Sequence, residues 1–362
     1  MEEKVKSCYI HIPFCNYICS YCDFCKVYYN KKFIKKYLKS LEIEINEFYK
    51  NEVLETLYIG GGTPSSLDVD ELKYLFRILN KFNLSKNIEF TFECNIDITY
   101  EKLKVLYENK VNRISIGIQS VNEKNLKFLN RNHTKEEVIE KINLIKKIGF
   151  KNINVDLIYA IPNETLDDLK CDLDFLTSLD INHISTYSLM IEPNTKLYID
   201  NVSNIDEDLD YKMYQYICNY LKNKNFNHYE TSNFSKNCNS IHNLTYWNNN
   251  HYYGFGVGAS GYIDNIRYTN TRNLNKYLNN IYDRQIEIID EKINMQNEMI
   301  LGLRKVDGVS LLKFKSKYNK EIEDVFNIKK LLDDKKLIIE NNFIKINPKY
   351  FYIQNQILRE FI

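Results

Sequence analysis

The sequence predicts an α/β fold, a parallel sheet flanked by helices, followed by a smaller C-terminal α+β module. Six short β-rich runs, at residues 8–12, 56–60, 88–93, 113–118, 152–159 and 183–189, alternate with amphipathic helical stretches. In the first such stretch Ile34, Tyr37, Leu38, Leu41, Ile45 and Phe48 recur at helical spacing. Two later helices open on the capping pairs Thr134/Glu137 and Thr165/Asp168, and the first of these stops before Gly149. Six strand–helix units in a row specify a parallel sheet with helices outside, open or curled into a partial (β/α)6 barrel.

Three regions follow from this reading. Residues 1–190 hold the strand–helix units. Residues 191–290 form a less regular α/β extension containing Tyr229-Glu-Thr-Ser-Asn-Phe234 and His242-Asn-Leu-Thr-Tyr-Trp247. Residues 291–362 read as helices and then a hairpin, 337–340 and 343–346 around Asn341-Asn342, in the order of a winged-helix module. That last region carries 14 Lys and Arg against 10 Asp and Glu, without a basic stripe, so a packing role is expected rather than nucleic-acid binding. Over the whole chain 49 basic residues face 48 acidic ones, which leaves no global field for nucleic acid or an anionic membrane. The first residues lack the apolar core of a signal peptide, and no apolar run is long enough to span a bilayer, so a cytoplasmic protein is expected.

The chemistry is concentrated in the cysteines. Four of nine fall within residues 15–25, and in a reducing compartment such a group binds metal or reacts. Cys15-x3-Cys19-x2-Cys22 places three soft thiolates on one loop just after a strand. Structural zinc usually takes two separated pairs, and no second pair follows. A ferredoxin would use four cysteines in a much shorter chain. Three thiolates instead suit three irons of a [4Fe–4S] cubane, whose fourth iron S-adenosylmethionine can chelate through its amino and carboxylate groups. Cys15, Gly60, Glu93, Gln119 and Met190 all fall at or just past the C-terminal ends of predicted strands, where such folds bind ligands.

The order of motifs is close to that of a known family. Tyr9-Ile-His-Ile-Pro-Phe-Cys15, Tyr21-Cys-Asp-Phe24, Gly60-Gly-Gly-Thr-Pro-Ser65, Thr91-Phe-Glu93, Arg113-Ile-Ser-Ile-Gly-Ile-Gln-Ser120, Arg131-Asn-His133, Asp156-Leu-Ile-Tyr159, Ile191-Glu-Pro193 and the two motifs of the extension follow one another along nearly the whole chain. In this the chain resembles the HemW haem chaperones, a sister group of the oxygen-independent coproporphyrinogen III oxidases in the radical S-adenosylmethionine superfamily. The resemblance implies a partial radical-SAM barrel, a [4Fe–4S] cluster on Cys15, Cys19 and Cys22, bound S-adenosylmethionine, haem, a haem-accepting protein and an electron donor for the cluster. It also assigns the cofactor to Gly61 and Gly62, which let the backbone approach its methionine end, and to the Thr63 hydroxyl. Glu93 supplies an acceptor, Gln119 an amide, Arg131 a charge for the carboxylate and Asp156 an acceptor for ribose. Tyr9 and Tyr21 match aromatic positions flanking the cofactor. The sequence departs from the pattern in places. Ile96 stands where proline is usual, and Ala160 and Asn163 replace expected glycines.

For haem, His242 is the candidate, an imidazole beside Tyr246 and Trp247, with His251 and Cys238 as rivals. The runner-up function is the coproporphyrinogen oxidase itself, and a third is a plain electron carrier. The oxidases carry a fourth cysteine where this chain has Phe24, with Cys25 one residue further on, and they lack the His242–Trp247 motif. Gly256-Val-Gly258-Ala-Ser-Gly261 spells a dinucleotide fingerprint, but no helix is predicted after it, so it is read as a tight backbone segment.

Overall fold

The computed structural model describes residues 4–362. Six strands form its centre: β1 (Ser7–Ile12), β2 (Val53–Gly61), β3 (Asn83–Cys94), β4 (Arg113–Gln119), β5 (Asn152–Tyr159) and β6 (His183–Ser188). They pair in that order and all run parallel. The helices between them include α1 (Lys31–Phe48), α2 (Val69–Leu79), α3 (Tyr100–Glu108), α4 (Lys135–Ile148) and α5 (Leu166–Ser178). The expected capping boxes form at Thr134/Glu137 and Thr165/Asp168, and Gly149 closes α4 with φ 123°.

The sheet continues beyond these units. After α6 (Glu207–Asn223) come the short strands β7 (Asn227–Glu230) and β8 (Asn233–Ser235), of which β8 pairs antiparallel with β6 and β7 antiparallel with β8 at the edge. Past α7 (Ile241–Trp247), β9 (Tyr253–Phe255) adds parallel to β1 at the opposite edge. The nine strands run β9-β1-β2-β3-β4-β5-β6-β8-β7, so the ladder stays open and closes no barrel.

The two faces of this sheet differ sharply. Side chains alternate across a strand, and a parallel sheet with both faces buried is usually apolar on both. Here Ile10, Leu57, Ile59, Phe90, Phe92, Ile114, Ile116, Val155 and Leu157 point into the core shared with the helices. Each such side chain contributes about 1.5–3 kcal/mol on burial. The alternate positions are polar: His11, Tyr58, Glu93, Arg113, Ser115, Gln119, Asn154, Asp156 and Ser185. A face this polar is made to line a cavity.

The C-terminal region has its own core, built from Met295, Met299, Phe314, Leu337, Ile344 and Phe351 among others. Its hairpin pairs Leu337 with Ile346 and Glu340 with Phe343, and Asn341 and Asn342 take φ 52° and 63°, as a two-residue hairpin turn requires. The Gly256 segment is tight, with φ 106°, and leads into the strand Ser260–Ile263 rather than a helix.

Candidate cofactor site

A cavity of about 450 Å³ opens on the polar face of the sheet. Its lining includes Cys15, Cys19, Cys22, Tyr21, Gly61, Gly62, Thr63, Glu93, Gln119, Arg131 and Asp156. These residues come from five strands and the loops after them; of the strand-end residues singled out in the sequence, Cys15, Glu93, Gln119 and Met190 line the cavity and Gly60 does not. Tyr9 and His242 lie elsewhere. Both line a neighbouring cavity of about 540 Å³, which shares Asp23, Phe24, Tyr58, Gly61, Glu93 and Asn243 with the first.

The cysteine loop is clamped at both ends. Phe14–Cys15 pairs in parallel with Val27–Tyr28, Val27 N donates to Pro13 O at 2.8 Å, and Tyr29 N donates to Cys15 O at 2.8 Å. Cys15 is only 5% exposed, and burial pushes its thiol up to about 11. Burial also raises Cys22. Without a metal these thiols therefore stay protonated, and ligation must draw the protons off. Two donors already face the sulfurs: Thr63 Oγ1 stands 3.5 Å from Cys15 Sγ, and Arg131 Nη1 3.5 Å from Cys19 Sγ. Among the described residues no three His, Cys, Asp or Glu side chains converge on one point as ligands of a single ion would. Thiolates that each hold a different iron of a cubane have no need to converge. Cys25 is set apart from the other three. It lines the neighbouring cavity and its Sγ lies 3.7 Å from Arg272 O.

The glycine turn is shaped for close approach. Gly61 takes φ 120°, and a Cβ on Gly62 would lie 2.7 Å from the Pro13 carbonyl and 2.9 Å from Cys15 Sγ. Glu93 lies beside this turn, accepting from Tyr58 Oη at 2.8 Å and Gly61 N at 3.1 Å. Burial raises its carboxyl to about 7 against those hydrogen bonds, and Asp156 adds to the rise. Gln119 sits at a bulge with φ 71°, a strained conformation for a non-glycine residue, and its Oε1 is buried without a partner. Arg131 also has a buried, unpartnered Nε. Orphaned polar atoms, a glycine cradle and three soft thiols on one cavity fit an iron–sulfur cluster with a polar organic cofactor. Gly62→Ala is accordingly expected to cost most of the bound cluster, measured as iron per chain after anaerobic reconstitution, because the added methyl collides with the cysteine loop.

His242 is 1% exposed and both its ring nitrogens are engaged, Nδ1 with Thr56 Oγ1 at 2.7 Å and Nε2 with Tyr246 Oη at 2.7 Å. Burial pushes its pKa down to about 3, so the ring is neutral. His11 likewise has both nitrogens engaged, with Tyr9 Oη and Cys25 O, and braces the loop behind Cys25. Sequence reasoning did not single out Tyr58, Arg113, Asn154 or Ser185, all of which line the cofactor cavity. Their signal was the polar half of each strand's alternation.

The model of the radical SAM superfamily matches residues 9–176, and that of the HemN C-terminal domain matches residues 289–349. A haem chaperone HemW of Lactococcus lactis is 39% identical over 100% of this chain and 98% of its own length. The chain belongs to the HemW family. A Bacillus subtilis member is 38% identical over 92% of this chain and 93% of its own, and an Escherichia coli member 32% identical over 79% of each. Membership in this radical SAM family implies a [4Fe–4S] cluster and S-adenosylmethionine. The structure of the coproporphyrinogen III oxidase HemN of Escherichia coli superimposes with a TM-score of 0.88, covering 99% of this chain and 90% of that one at 20% identity. That likeness is one of fold.

Proposed function

We propose that this chain binds haem and passes it to an acceptor protein, as a radical S-adenosylmethionine haem chaperone. The observation that carries the reading is the second cavity. It adjoins the cofactor cavity and is walled by His242, Tyr246 and Trp247 of the family's extension motif, together with Tyr9 and Tyr252. Its two imidazoles are His242 and His11, the latter held by Tyr9 Oη and Cys25 O, and aromatic walls with an imidazole suit a flat, apolar macrocycle. Free thiols at all nine cysteines fit a reducing compartment, and we place the protein in the cytoplasm. Among the described residues no helix is long and apolar enough to cross a membrane.

Cys15, Cys19 and Cys22 would hold the cluster, which an electron donor must reduce. When bound, the cluster and S-adenosylmethionine together supply a one-electron cleavage chemistry. Thr63 and Arg131 donate toward the sulfurs and favour their anionic form. Glu93, Gln119 and Asp156 offer acceptors along the cavity, Gly61 and Gly62 keep the backbone low, and Tyr21 adds an aromatic wall. Arg131 is further tied to Gly117 O and Asn95 Oδ1, so its charge is fixed in place. His242 can serve haem iron through Nε2 if Tyr246 yields that nitrogen, while Thr56 on Nδ1 keeps the ring oriented.

The fold likeness to HemN favours one competing reading, the coproporphyrinogen oxidase. Against it, Phe24 stands at the fourth-cysteine position and is 59% exposed. Anaerobic titration of the reconstituted protein with ferric haem should give a Soret band that saturates near one equivalent per chain. With reductant, S-adenosylmethionine and coproporphyrinogen III, chromatography should detect no protoporphyrinogen. Multiple turnovers of decarboxylation would promote the oxidase, and absence of saturable haem binding would remove the chaperone.

A further inference from the structure

Arg113 opens β4 and is 2% exposed, yet its guanidinium makes no hydrogen bond and no ion pair among the described residues. Its Nε is buried without an acceptor, and the residue lines the cofactor cavity. A buried charge is normally paired, and arginine cannot escape by losing its proton. The carboxylates around it each accept from other donors. Glu89 accepts from Ile241 N and His242 N at 2.9 and 2.8 Å, Glu93 from Tyr58 and Gly61, and Asp156 from Asn154 Nδ2 at 2.8 Å. Directly across the ladder on β3, Thr91 pairs in register with Arg113, and its Oγ1 is a second buried group without a partner. Two neighbouring orphaned groups, one of them a fork of donors, mark a place kept for something that arrives from outside.

A planar fork of N–H donors matches a carboxylate in bidentate geometry. Arg131 does not compete for the same group. It holds Gly117 O, and Gly117 lies four residues further along β4, roughly 13 Å away at strand spacing. Arg131 serves the cysteine end of the cavity, and Arg113 the far end. The charge of Arg113 is felt at Tyr58, Glu93 and Asp156, and also at His242 in the neighbouring cavity. Tyr58, Thr91 and Arg113 stand in one row across β2, β3 and β4, and Tyr58 lines both cavities, so Arg113 lies in the first cavity two strands from their shared wall.

We infer that Arg113 forms an anion subsite that takes a carboxylate of a ligand spanning this cavity, namely a haem propionate. The source of that carboxylate rests on the function proposed above. The subsite itself does not, because the methionyl carboxylate of S-adenosylmethionine is the other source of the same chemistry.

The test uses the cluster-reconstituted protein without oxygen, as wild type, Arg113→Gln and Arg113→Lys. Each is titrated with S-adenosylmethionine, with ferric haem and with ferric haem dimethyl ester, in which the propionates are capped. Wild type is expected to prefer haem over its dimethyl ester at least tenfold. Arg113→Gln should lose that preference, Arg113→Lys should keep part of it, and S-adenosylmethionine affinity should hold in both. Unliganded Arg113→Gln should also melt at a higher temperature than wild type, since a lone buried cation is removed. If Arg113→Gln instead loses affinity for S-adenosylmethionine tenfold and keeps the haem preference, the subsite stands and its carboxylate is the methionyl one. Unchanged affinities for both ligands, with or without a lowered melting temperature, would make Arg113 a packing residue and overturn the proposal. If wild type binds no haem, the chaperone reading fails by itself, and the S-adenosylmethionine titration alone decides Arg113.

Discussion

Alanine at Cys15, Cys19 or Cys22 is expected to abolish the [4Fe–4S] cluster, whereas Cys25→Ala should leave it intact. Each of the three thiols lines the cofactor cavity, and each would be the sole protein ligand of one of three irons, so no neighbour can substitute for a lost one. Cys25 is the natural rival, three residues past Cys22. Its thiol turns to the other cavity, packs against Gly258 and lies against Arg272 O. The clamp between Phe14–Cys15 and Val27–Tyr28 holds the ends of the loop without help from any of these sulfurs. The alanine chains should therefore remain folded while losing iron and the visible absorption of the cluster together. Iron and sulfide per chain, with circular dichroism to check the fold, make the measurement. A cluster that survives Cys22→Ala but not Cys25→Ala would shift the ligand set by one cysteine. A cluster indifferent to added S-adenosylmethionine would point to a closed, four-ligand site.

Much of this was legible because strand alternation in the chain is unusually clean. In Arg113-Ile-Ser-Ile-Gly-Ile-Gln119 every second residue is isoleucine and enters the core, so both the strand and its buried face can be read. The same string carries the polar face, and Arg113, its most unusual member, was legible in principle as a charge opening a buried strand. The hairpin at Asn341-Asn342 was legible because its turn needs left-handed backbone that asparagine tolerates. Ala160 and Asn163 show the converse. Both replace expected glycines, yet both keep left-handed backbone, φ 61° and 64°: Asn163 tolerates it, whereas on Ala160 the surrounding structure imposes it. What could not be read was non-local. Strands β7, β8 and β9 have three or four residues each, too few for a period, and join the sheet only because its edges are there to receive them. Tyr9, expected beside the cofactor, pairs in register with Tyr58 and lines the adjoining cavity, to which Tyr58 also belongs.

His242→Ala is expected to weaken haem binding at least tenfold and to shift the Soret band, while also lowering stability. The stability term follows from the two hydrogen bonds. Thr56, 186 residues away in sequence, and Tyr246 both lose their partner inside the protein, and an unsatisfied buried hydroxyl costs about 1–3 kcal/mol. A stability loss alone therefore does not identify a ligand. Tyr246→Phe separates the roles. It frees Nε2 without removing the imidazole and leaves Thr56 on Nδ1, so haem should bind at least as tightly as in wild type, with an unshifted band. A histidine that only packs the core would give neither pattern, since its loss would change melting temperature and leave the spectrum of bound haem alone. His251→Ala and Cys238→Ala control for the rival ligands, and iron content is checked in every variant so that a damaged fold is not mistaken for a lost ligand. If His242→Ala retains its cluster and binds haem with wild-type affinity and spectrum, the axial ligand must be sought among those rivals. If Tyr246→Phe loses haem as fully as His242→Ala, the hydroxyl belongs to the binding site, and the exchange of Tyr246 for iron at Nε2 does not occur.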